Sequence, residues 1–68
     1  MTELQGWQER LIEERNEIDQ RGEKLFQFIE SERFTKLPHF DQIALCMQLA
    51  HMQGYMEIVT RRIDAFEN

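Results

Sequence analysis

Between Gln42 and Phe66 the chain places Leu45, Leu49, Met52, Met56, Val59, Ile63 and Phe66 at alternating steps of four and three, and none of these positions is polar. Such a run is a helical seam. A second apolar row, Ile43, Met47, Ala50, Gly54 and Ile58, lies alongside it, with Tyr55 near its edge. One stripe is enough to seat a helix on a single partner, so two stripes predict contact with more than one neighbour. The seam is therefore the predicted oligomer interface.

The first half of the chain carries a sparser pattern. Leu4, Trp7, Leu11, Ile18, Leu25 and Ile29 form its seam, flanked by Ile12, Phe26 and Phe28. Between Leu11 and Leu25 the apolar positions are taken by Glu14 or Arg15, then Arg21 or Gly22. The opposite face holds Glu9, Arg10, Glu13, Glu17, Asp19, Glu23, Lys24 and Glu30, which reads as a solvated helix surface. Glu17–Arg21 and Glu30–Arg33 have the spacing of weak helical ion pairs. Thr2 and Gln5 have the spacing of a capping box.

These patterns predict one domain: a first helix over about residues 3–32, a connection over 33–37 and a second helix over about 38–66. Leu37 precedes Pro38 and is pushed out of helical geometry, while Pro38 and Asp41 suit the start of the next helix. Phe34, Leu37 and Phe40 are expected to plug the closed end. So short a connection requires antiparallel neighbours. The expected fold is an all-α antiparallel two-helix hairpin that assembles as a homo-oligomeric helical bundle, a dimer or larger.

Size sharpens the last point. A chain of 68 residues gains little from one core, and such chains usually need disulfides, a metal or oligomerisation. Cys46 is the sole cysteine, which rules out an internal disulfide and suits a reducing compartment. The net charge of −5 argues against nucleic acid as a partner. The opening Met1-Thr2-Glu3 lacks the basic and apolar regions of a leader. The uncharged run Gln42–Met56 is too short to span a bilayer. A cytoplasmic protein is expected.

Candidate chemistry is scarce. Cys46 and His51 are five residues apart on a helix and diverge, and with His39 they do not match zinc spacing. No metal and no cofactor is expected. Ser31 is the single serine, Gly6, Gly22 and Gly54 form no phosphate loop, and no nucleophile–base set appears, so no enzyme is expected. Met47, Met52 and Met56 read as core filling, or as an adaptable surface for partners. Gly22 and Gly54 suggest one close helix crossing, within a chain or between chains. Glu14, Arg15 and Arg21 either edge the first seam or pair at a subunit interface. Arg15, Arg21, Tyr55 and Arg61 are the candidate contacts for a ligand or partner.

The same residues carry a family likeness. Trp7-Gln8-x-Arg10, Lys24-Leu25-x-x-Phe28-Ile29, Phe34-x-x-Leu37-Pro38, Asp41-Gln42, Gln48, Met52-x-x-Tyr55 and Arg62-Ile63-x-x-Phe66, in this order over nearly the whole chain, resemble short accessory proteins of tailed bacteriophages. Those include proteins encoded between the exonuclease and excisionase genes in the early region of lambdoid phages. The resemblance implies a phage-encoded helical hairpin acting in the host cytoplasm, and it supplies no catalytic residue. In size, helical layout and Tyr55 plus arginines, the chain is also similar to phage hairpins that oligomerise and sequester cyclic nucleotide immune signals. Their nucleotide-contacting motifs are not recognisable here.

The expected function is thus a non-enzymatic phage accessory protein that binds itself and a host or phage protein, modulating phage development. The alternative is a sponge that holds a small anionic cyclic nucleotide between subunits.

Overall fold

The structure, a computed structural model, describes residues 3–67. It consists of α1 (Gly6–Ile29), a one-turn helix α2 (Glu32–Thr35) and α3 (His39–Glu67), with no strand among the described residues. α1 and α3 pack along each other as a hairpin of 52 × 16 × 15 Å.

α1 opens later than the spacing suggests. Thr2 lies outside the described residues, and Gln5 is the N-cap, with its backbone N–H donating to Gln8 Oε1 at 2.7 Å. The reciprocal cap is thus built from two glutamines three residues apart, which leaves Leu4 outside the helix. At the other end, the connection is more ordered than a plain loop. α2 forms within it, and the Gln42 side-chain amide donates to three carbonyls there, those of Phe34 (3.2 Å), Thr35 (3.3 Å) and Leu37 (3.0 Å). One side chain from the first turn of α3 thus ties down the carbonyls of the turn, sharing that of Phe34 with the Leu37 N–H, which donates to it at 3.1 Å. Pro38 precedes α3 and its carbonyl accepts the Gln42 N–H at 3.1 Å.

The closed end is plugged by Phe34 and Leu37, both half-buried, and Phe28 meets Phe34 edge to face at 6.4 Å. Phe40 is not part of the plug, because it is 80% exposed on the outside of α3. The buried core sits at the opposite, open end. Leu11 of α1 packs with Val59 and Ile63 of α3, joined by Ile12 and Phe66. Trp7 closes this end edge to face on Phe66, with 5.6 Å between ring centroids.

Charges contribute little to this frame. Neither Glu17–Arg21 nor Glu30–Arg33 closes as an ion pair among the described residues, whereas Arg61 pairs with Glu57 at 2.8 Å on an exposed surface. Such a pair adds less than about 1 kcal/mol. Because α3 continues to Glu67, Arg61 and Arg62 stand outside its last turn, where the helix dipole no longer reaches them strongly.

Candidate binding surfaces on the two faces of the second helix

The long seam of α3 is turned inward. Val59 and Ile63 are buried, and Leu45, Leu49, Met52, Met56 and Phe66 are half-buried along the side that α1 covers. At least the end of the predicted oligomer interface is therefore closed within one chain. The other row is in solvent: Ile43, Met47 and Ile58 are 48%, 57% and 58% exposed, and Ala50 and Gly54 are exposed between them. At 100° per residue the centres of the two rows lie on opposite sides of α3.

Toward the middle of the hairpin the inner face loosens. Gly22 supplies no side chain there, and an open groove of about 420 Å³ forms between the helices. Ile18, Gly22 and Phe26 line it from α1, and Leu49, Met52 and Met56 from α3. Asp19, Glu23 and Gln53 complete the lining, so its polar part is acidic or neutral. A shallower depression over Glu57, Thr60 and Arg61 shares Gln53 and Met56 with it.

The glycines do not mark a tight crossing inside the chain. A Cβ added to Gly22 would meet Leu49 Cδ1 and Met52 Cε at 4.0 Å, ordinary van der Waals contact, and one added to Gly54 would meet nothing within 4 Å. Each glycine costs its helix about 1 kcal/mol relative to alanine. No contact within the chain requires either.

The candidate ligand residues do not converge on one pocket. Arg15 is half-buried and Arg21 is exposed on α1; Arg61 is held by Glu57. Tyr55 is 45% exposed, and its hydroxyl donates a hydrogen bond to Glu14 Oε1 across the helix pair. This explains Glu14, which breaks the apolar seam of α1 in order to receive the phenol. The hydrogen bond, then desolvation and the carboxylate's charge, raise the Tyr55 pKa above 10.0, while the positive charge of Arg62 opposes them. Arg62 lies two helical turns along α3 from Tyr55. The sequence pattern did not pair Tyr55 with Glu14, since the contact joins positions 41 residues apart.

Among the described residues no group of three or more His, Cys, Asp or Glu is placed to hold a metal ion. Cys46 is an exposed free thiol. No described helix is long and apolar enough to cross a membrane.

The chain is a small all-α hairpin with one apolar face of α3 turned to its own core and the other open to solvent. The family is clear: the Sequestin model matches residues 5–65, and the chain belongs to that family. The match spans α1, α2 and nearly all of α3. Neither the curated proteins nor the solved structures provide a significant match.

Proposed function

We propose that this protein is a non-enzymatic sequestering factor made by a tailed phage, which assembles from copies of the hairpin in the host cytoplasm and withdraws a target molecule by stoichiometric binding. The observation that carries this reading is the exposed apolar face of α3 beside a core of three buried hydrophobic residues among those described. So small a core rarely supplies more than about 3–5 kcal/mol, which favours a working state in which other surfaces are covered. The Sequestin family supports capture rather than turnover.

The cargo we favour is a small anion of the cyclic nucleotide class, held between subunits. Tyr55 presents a ring that is 45% exposed, with its hydroxyl on Glu14, and Arg62 follows two turns along α3, residue types suited to a base and its phosphate. Arg15 and Arg21 are further cations, and Arg61 would have to exchange its Glu57 partner for the anion. One hairpin alone does not form such a site, since its groove carries Asp19 and Glu23, so this reading requires assembly. A second reading, capture of a host or phage protein, is favoured by the groove itself. Met52 and Met56 offer an adaptable apolar bed for a partner helix.

Thermal denaturation of the assembled protein against a panel of cyclic di- and trinucleotides separates the two. At ligand near 100 times Kd, a true cargo stabilises the fold by about 2.7 kcal/mol, and Tyr55→Ala removes the shift. A panel without any shift sinks the small-anion reading. The protein reading is lost in turn if Met56→Glu leaves capture of host proteins unaltered.

A further inference from the structure

We propose that two copies of this chain dock back to back through the outer face of α3, antiparallel, with the twofold axis passing between Ala50 and His51. This deepens the assembly reading above and rests on it.

The elongated hairpin, 52 × 16 × 15 Å, has surface enough to give to a partner of this size. The chain exposes 5629 Å², whereas a compact monomer of 8.3 kDa exposes about 4,600 Å². The excess, about 1,000 Å², is close to the ~800 Å² that each partner contributes to an interface of standard size. The outer row is the place to cover it. From Phe40 to Ile58 it extends about 27 Å along the helix; its central stretch Gln42–Met56 contains no charged residue, and the charges on this face, Glu57 and Arg61, lie at its C-terminal end and neutralise each other.

The row is complementary to itself when it is reversed. With the axis between Ala50 and His51, Ile43 faces the partner subunit's Ile58, and Met47 faces the partner subunit's Gly54. The long Met47 side chain, 57% exposed, enters the space that Gly54 leaves open, and the twofold repeats this fit. Phe40 falls opposite the partner subunit's Arg61, so the exposed ring meets a guanidinium whose other side is paired with Glu57 of its own helix. Antiparallel packing also opposes the two α3 dipoles. A parallel, in-register pair would instead set Arg61 against Arg61 of the partner subunit and Gly54 against Gly54 of the partner subunit, combining repulsion with a void. Charge and shape therefore select the antiparallel copy.

Gly54→Leu tests the register, since it fills the hole without touching the hairpin's own packing. Helicity by circular dichroism should hold, while light scattering over a hundredfold concentration range should show the dimer Kd rising about tenfold or more. Adding Met47→Ala to Gly54→Leu exchanges knob and hole and should restore the dimer. A wild-type monomer throughout overturns the proposal, as does a Kd unmoved by Gly54→Leu. A wild-type oligomer that ignores Gly54→Leu but dissociates with Met56→Glu places assembly in the groove, overturning this interface and sparing the assembly reading. If Gly54→Leu loses helicity, crosslinking decides. In a Cys46→Ser background, Ile43→Cys with Ile58→Cys should oxidise to a covalent dimer while neither single variant does. Failure of the double variant to crosslink overturns the register.

Discussion

α3 shows two apolar faces to two different environments. On the inner face Val59 and Ile63 are 0% and 1% exposed against Leu11, whereas on the outer face Ile43, Met47 and Ile58 are about half in water. The side chains are of the same kinds and sizes. What separates them is reach: α1 has a single broken seam and can cover one side of α3. The inner face is also uneven along its length. It is closed where Trp7 and Phe66 cap the core and open where Gly22 faces Leu49 and Met52. Hydrophobicity at a position thus marks surface to be buried, and the neighbouring helix decides whether the chain buries it alone.

The sharpest way to break this comparison is Ile63→Ala. The inner core should lose about 2–5 kcal/mol, comparable to the whole contribution of so small a core. Cooperative urea unfolding followed by circular dichroism should disappear or shift to very low denaturant. Met52→Glu should have a smaller effect, because Met52 is half-buried beside an open groove. A charge there should destabilise the hairpin by about 1–3 kcal/mol or dissociate an assembly that uses the seam. An unchanged melting temperature together with an unchanged mass would remove the middle of the seam from both roles.

Gly22→Ala works in the other direction. The added methyl meets Leu49 and Met52 at van der Waals distance, so α1 should gain about 1 kcal/mol of helix stability. A loss on thermal melting would mean that another copy approaches Gly22 closely. The smallest effect concerns the clasp between the helices. The neutral Tyr55 phenol donates to Glu14, and its pKa is raised, so the clasp contributes fully below pH 10 and is lost as pH rises through the raised value. Tyr55 is the one tyrosine, so ultraviolet titration reads it directly. The midpoint should lie above 10.0 and fall toward it in Glu14→Gln. Equal midpoints would show that the clasp does not form in solution.

Much of the architecture was legible in the periodicity. The strict seam of α3, the weaker seam of α1 and the Leu37-Pro38 break each depend on local spacing, and each corresponds to an element or boundary of the hairpin. The caps were less legible. The α1 cap uses Gln5 and Gln8 rather than Thr2, and glutamine is a less distinctive signal than threonine. Gln42 looked like an ordinary polar residue, yet its amide holds three carbonyls of the turn. The candidate site was legible only as an inventory. Spacing named Arg15, Arg21, Tyr55 and Arg61 one by one but could not show that Glu14 takes the Tyr55 hydroxyl from 41 positions away, whereas Glu57–Arg61 has the i,i+4 spacing of a helical ion pair and was open to reading.

The amino-acid sequence by itself determined that this chain forms two long antiparallel helices and that α3 carries more apolar surface than one partner can cover. Periodicity and a proline stop are local properties, and local spacing encodes them fully. Only the tertiary structure decided which of the two rows became core. That choice depends on how α1, fixed by a short connection, lies across α3, and so on contacts between residues far apart in the chain. The same packing sent Phe40 outward, left Gly54 facing open space and joined Tyr55 to Glu14.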